Sequence, residues 1–143
     1  MLRALVLLMM AGLSAAGVRA EELPFRVVVH PSNPIVSMSR AELSAIYMKR
    51  TRSWRDGREI VAVNQPATTR IREQFSRAVH GKSVSYVTRY WQRLIFSGRA
   101  VPPRELRSDA AVLKFVMTNS EAIGYVGKET LPGDGVKVIA VTP

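Results

Sequence analysis

The stretch IVAVNQPATTRIREQF, residues 60–75, begins as an apolar, β-branched run and ends as a helix. Ile60 to Val63 have the composition of a buried strand, whereas Ile71, Phe75 and Val79 recur at helical spacing. A strand that turns directly into a helix is the building unit of α/β domains. Ligands of such domains collect beyond the carboxyl ends of the strands. Thr68, Thr69, Arg70 and Arg72 cluster at this turn. The first turn of a helix has N–H groups without helical partners and carries a positive dipole end, so the cluster is a candidate oxyanion site. The same residues also suit a plainer role, in which one threonine caps the helix and the arginines are solvated. Both readings stand on the sequence.

Upstream, FRVVVH (25–30) reads as another buried strand, broken by the turn formers of HPSNP (30–34). Ser39-Arg40-Ala41-Glu42 fits a capping box, and Leu43, Ile46 and Tyr47 then mark one face of a helix over about residues 39–48. MKRTRSWRDGRE is a basic loop that leads into the strand at 60–64. Downstream, the helix that opens near Thr68 or Thr69 runs to His80 and stops at Gly81. Ser83 caps VSYVTRYWQRLIF, whose Val84, Val87, Trp91, Leu94 and Ile95 form a wide apolar stripe. Ser108 caps a fourth helix to about Asn119, and AIGYV (122–126) and VKVIAV (136–141) are the last strands.

The order β-α-β-α-α-α-β-β, with apolar rather than alternating strands, predicts a three-layer α/β domain with a mostly parallel sheet. In such a sheet, Ser32 and Asn33 after the first strand should share an edge with Thr68, Thr69 and Arg70. Tyr125 and Lys128, at the end of AIGYV, belong to the same expected edge. Asn33 also suits a plain turn, Tyr125 a core aromatic and Trp54 a packing anchor.

Residues 1–20 read as a secretory signal. Met1-Leu2-Arg3 is followed by the apolar ALVLLMMAGLSAAG, and Val18-Arg19-Ala20 places small residues for cleavage near Ala20. The apolar core is short against the ~20 residues of a membrane span. The expected product is a single periplasmic domain over residues 21–143, with no membrane insertion after cleavage. Its net charge falls from +10 to +8 with the loss of Arg3 and Arg19, which favours anionic partners.

The chain has no cysteine and only two histidines, His30 and His80, with no HxxxH or HExxH spacing. A disulfide framework, a thiolate metal site and a zinc site of that kind are thereby set aside, and no cofactor is expected. Paired carboxylates, GxSxG and a Walker loop are all missing from the sequence, so an enzyme is not expected. TRYWQR (88–93) and MKRTRSWR (48–55) interleave aromatics with arginine, as nucleic-acid surfaces do. Tyr90 and Trp91 lie on an amphipathic helix where core burial accounts for them, and export removes nucleic acid from reach.

Two stretches bring a known family into view: VVVHPSNPIVSMSRAELSAIYMKRTRSWRDGREIVAVNQP and SEAIGYVGKE. Together they resemble the phosphate-binding proteins of ABC transporters, within the type II periplasmic binding proteins. Ile46-Tyr47 stand for that family's Ile-Phe, Trp54 for its Trp, and Ala122 to Val126 match its Ala-Ile-Gly-Tyr-Val. The resemblance spans about residues 25–128 and implies one lobe of a fold that has two. It implies a phosphate or similar small oxyanion as ligand, an ABC transporter as partner, and an oxyanion turn at Thr68, Thr69 and Arg70. The family motif there is Arg-x-x-Gly-Ser-Gly-Thr. Aligned back from Phe75, Thr69 falls on its serine, Arg70 on its second glycine and Ile71 on its threonine. A lone lobe should hold phosphate weakly unless a second copy or an envelope protein closes over it. The alternative is an accessory, protein-interacting module of the envelope that has kept the fold without the ligand.

Overall fold

The computed structural model describes residues 22–143, so the expected secretory signal and the expected cleavage near Ala20 lie outside the described residues. The chain runs β1 (Phe25–Val29), β2 (Ser37–Ser39), α1 (Arg40–Tyr47), β3 (Val61–Asn64) and α2 (Arg70–Phe75). A π-helical turn (Ser76–His80) prolongs α2, and α3 (Val84–Phe96), β4 (Arg104–Glu105), α4 (Asp109–Thr118), β5 (Ala122–Gly127) and β6 (Lys137–Thr142) follow.

The six strands form one sheet in the order β2-β6-β1-β5-β3-β4. Side chains on a strand alternate between faces, and here both faces are covered. Val27, Val29, Ile123 and Tyr125 pack towards Leu43 and Tyr47 of α1 and Phe75 of α2. Val28, Val63, Ala122 and Val126 pack towards Val112 and Val116 of α4. This is the three-layer arrangement expected from continuous apolar strands. Three pairings are parallel (β2–β6, β3–β4 and β3–β5), while β1 runs antiparallel to both β5 and β6. The sheet is thus mixed about β1.

Local chemistry sets the helix boundaries. The Ser39 hydroxyl accepts from the Glu42 N–H at 3.1 Å and the Glu42 carboxylate accepts from the Ser39 N–H at 2.7 Å, which closes the capping box of α1. The π-helical turn ends at Gly81, whose φ of 65° is the left-handed cap that glycine adopts without strain. α3 lies outside the two main layers, with Val87 and Trp91 seated on Met48 at the end of α1. The strands β2 and β4 are additions to the sequence reading. SMS and RE carry no apolar run, and only pairing with β6 and β3 makes them strands.

Candidate functional site

The turn between β3 and α2 is held from within. Thr69 is the N-cap of α2: its hydroxyl donates to the Pro66 carbonyl at 2.7 Å and accepts from the Arg72 N–H at 3.4 Å. Both capacities of that hydroxyl are therefore used by the backbone. Arg72 turns inward and is buried, its Nη1 donating to the Gln65 carbonyl at 2.7 Å and to Glu105 at 3.2 Å. Thr68 and Arg70 are exposed at the mouth of the turn. The N–H groups of Arg70 and Ile71 open the helix, where no preceding turn supplies carbonyls.

Gln65 occupies the place of the motif's arginine, counted back from Thr69. It is buried, and its side-chain amide donates to Asp109 at 2.7 Å and to the Tyr125 carbonyl at 3.1 Å. Asp109 lies in the first turn of α4 and also accepts from the Gly127 N–H at 3.0 Å and the Thr130 hydroxyl at 2.5 Å. A carboxylate thus ties together the ends of β3 and β5 and the start of α4. Neither Gln65 nor Asp109 emerges from sequence reasoning as a site residue. The signal for Gln65 is the motif spacing, which assigns it an arginine's place.

Ser32 and Asn33 do not join this edge. Because β1 is antiparallel to β5, Phe25 pairs with Gly127 and Val29 with Ile123, so the loop after β1 emerges at the opposite end of the sheet from Gly127. There Ser32 bonds His30 Nδ1 at 2.7 Å, and Asn33 is buried as a turn residue, its side-chain oxygen accepting from the Ile35 N–H at 3.1 Å. The Lys137 ammonium donates to the Asn33 carbonyl. The expectation of one shared edge is corrected by strand direction, which apolar composition does not encode. Lys128 does follow β5 at the Asn64 end, and its side chain is exposed.

Tyr125 is a core residue: its ring stacks on Phe75 with centroids 3.9 Å apart, and its hydroxyl donates to Asn64 Oδ1. Burial pushes its pKa well above the ordinary tyrosine value, so it stays protonated as a donor. Trp54 is a packing anchor against the α1–α2 core, its indole N–H donating to the Glu121 carbonyl at 3.0 Å. His80 is neutral near pH 7. Burial first, then the charges of Arg72 and Arg50, lower its pKa to about 4. Its Nδ1 lies 2.7 Å from the Ser44 hydroxyl.

The sequence matches no protein-family model and no curated protein. Solved structures of similar fold are nonetheless found. An ABC-type phosphate transport receptor from Vibrio cholerae superposes with a TM-score of 0.64 at 20% identity, over 83% of this chain and 47% of the receptor. A putative phosphate ABC transporter substrate-binding protein from Clostridium perfringens, solved with bound phosphate, gives 0.64 at 19% identity, over 85% of this chain and 47% of that one. A possible phosphate-binding protein from Planctomyces limnophilus gives 0.62 at 17% identity, over 83% and 41%. The fold is that of one lobe of a periplasmic binding protein, and the chain spans about half the length of these relatives.

Proposed function

We propose that this chain is an exported, non-catalytic solute-binding domain that takes a small oxyanion, phosphate or a close analogue, for an envelope transporter. The observation that carries the proposal is the pairing of exposed Thr68 and Arg70 at the start of α2, beyond the carboxyl end of β3. The Thr68 hydroxyl, the Arg70 guanidinium and the first N–H groups of α2 can converge on one oxyanion. The likeness to phosphate receptors, one of them solved with phosphate, supports the same ligand class. Among the described residues no helix is long and apolar enough to cross a membrane.

The geometry also bounds the affinity. Micromolar binding needs about −8 kcal/mol. About three charge-assisted bonds of roughly 1.5–3 kcal/mol each must offset both lost water contacts and the association cost. Thr69 contributes none, because its hydroxyl is spent on the cap, and Asp109 adds a carboxylate near the same edge. A dissociation constant near 1 mM is the consequence, at about −4 kcal/mol.

Calorimetric titration of phosphate at low salt tests this, with a Thr68→Ala/Arg70→Ala double variant alongside. Saturable heat that the variant loses, at an unchanged melting temperature, supports the reading. No heat with either protein up to about 20 mM phosphate rejects it, since about 20-fold over the expected constant saturates the site.

A second reading, the accessory protein-interacting module, is favoured by a different surface. Ile95, Phe96 and Val101 are 51%, 91% and 71% exposed at the end of α3 and just beyond it. Loss of phosphate binding together with partner crosslinking from a photoreactive group at Phe96 would select that reading.

A further inference from the structure

A cleft of about 240 Å³ opens between the end of β3, the flank of α3 and the loop leading into β4. Asn64, Arg72 and Glu105 supply its polar groups, and Trp91, Ile95 and Pro102 supply an apolar wall. It is separate from the Thr68–Arg70 turn, whose exposed side chains are not among its lining.

Two of its polar residues are buried yet incompletely used. Both hydrogen bonds of Arg72 leave through Nη1. Among the described residues, its Nε–H and Nη2 hydrogens meet no protein acceptor. Asn64 is 5% exposed, and its Oδ1 accepts from the Tyr125 hydroxyl and from the Gln65 N–H at 3.1 Å. Those two donors fix the orientation of the amide, so Nδ2 is the remaining end, and it too meets no protein acceptor. None of these N–H groups is a fully buried unpaired atom, so each is accessible and together they can donate to the oxygens of a ligand in the cleft. A guanidinium beside a carboxamide donor matches the two oxygens of a carboxylate.

The charge balance narrows the ligand class. Glu105 faces Arg72 at 3.2 Å with its side chain half exposed, so the pair together is neutral. A dianion such as phosphate would meet that carboxylate, whereas a ligand carrying both signs meets a partner for each. The apolar wall adds a contact for a hydrophobic group, since Ile95 is 51% exposed. We propose that this cleft binds a small zwitterion of the α-amino-acid type with an apolar side chain. Its carboxylate lies on Arg72 and Asn64, its ammonium on Glu105, and its side chain against Trp91, Ile95 and Pro102.

Calorimetry on the full chain with L-leucine, isovalerate and isopentylamine tests this, with Glu105→Gln as the variant. Glutamine keeps an oxygen that can accept from Arg72 in place of the carboxylate, and the melting temperature of the variant is recorded as the control for folding. Leucine should bind saturably, isovalerate and isopentylamine should each bind at least tenfold more weakly, and Glu105→Gln should weaken leucine at least fivefold. Phosphate at about 10 mM, roughly tenfold over its own expected constant, should leave leucine affinity unchanged, because the two sites are distinct. Three outcomes overturn the proposal: no saturable heat with leucine, isovalerate binding as tightly as leucine, or an unaffected Glu105→Gln variant. Competition between phosphate and leucine would overturn the separation of the sites, whether or not phosphate binding itself is found.

Discussion

The side-chain amide of Gln65 donates to the carboxylate of Asp109 at 2.7 Å, and this bond is a neutral brace between the end of β3 and the start of α4. In the motif that this turn resembles, the place of Gln65 is held by an arginine. Here the position is filled by an amide, and its hydrogens are directed at a carboxylate and at the Tyr125 carbonyl. Asp109→Ala would strand the Gln65 amide and the Gly127 N–H. It should cost about 3 kcal/mol, measured as a shift in denaturant midpoint at constant slope. Gln65→Arg alone should add little phosphate affinity, because the new guanidinium would pair with Asp109. Gln65→Arg with Asp109→Asn should tighten phosphate by about tenfold, the effect of one added charge-assisted bond. Equal affinity in the single and double variants would show that Asp109 is not the restraint.

Gly124 makes a separate test of the packing between the sheet and α4. A Cβ built there would sit 2.6 Å from Val112 Cγ1 and 3.0 Å from Val63 Cγ2, both side chains of the rigid core. Gly124→Ala should therefore destabilise by about 1–3 kcal/mol through overpacking. Val112→Ala in the same chain should recover part of that loss, giving a coupling of at least about 0.5 kcal/mol in a double-mutant cycle. Additive effects would mean that α4 simply moves away.

The contrast between these two regions explains what was legible in the sequence. The caps at Ser39, Ser83 and Ser108 and the stop at Gly81 are local chemistry, and each stands where the sequence places it. The apolar runs at 25–29, 61–64 and 122–126 read correctly as strands because both of their faces are covered. Strand direction was not legible. FRVVV is equally apolar in either direction, and the antiparallel course of β1 is set by contacts with residues about a hundred positions away. That one unread property carried Ser32 and Asn33 to the wrong edge. The role of Thr69 was legible only as an alternative, since capping and anion binding use the same hydroxyl. Gln65 and Asp109 were opaque because their partnership spans 44 residues and has no local pattern.

His80 gives a pH dependence with a defined sign. Its folded pKa, about 4, lies below the ordinary histidine value of 6.5 because burial disfavours the imidazolium. Between those values the unfolded chain binds the proton and the folded chain does not, so stability falls as pH drops from about 6.5 to about 4. The loss attributable to His80 has an upper bound of about 3 kcal/mol, at 1.36 kcal/mol per unit. Carboxylates such as Glu42 and Glu73, whose folded pKa values are also lowered, add their own losses at lower pH. Subtracting the stability profile of His80→Gln from that of the wild type isolates the histidine. A flat difference between pH 7 and 4 would mean that His80 takes up its proton in the folded state.

Thr68 and Thr69 allow the cap and the ligand to be told apart at adjacent positions. Thr69 holds the first turn of α2 through its bonds to the Pro66 carbonyl and the Arg72 N–H, whereas Thr68 is exposed. Thr69→Ala should lower stability by about 1 kcal/mol, the usual cost of losing an N-cap, while Thr69→Ser should retain most of it. Thr68→Ala should leave stability within about 0.5 kcal/mol, as surface substitutions do. Phosphate affinity should move the other way. Thr68→Ala removes the proposed ligand donor directly and should weaken binding, whereas Thr69→Ser keeps the cap and should leave binding at the wild-type level. Chemical denaturation and calorimetry on these three variants supply both numbers for each residue. A stable Thr69→Ala protein that has lost phosphate binding would reverse the assignment and make Thr69 a ligand donor in place of Thr68.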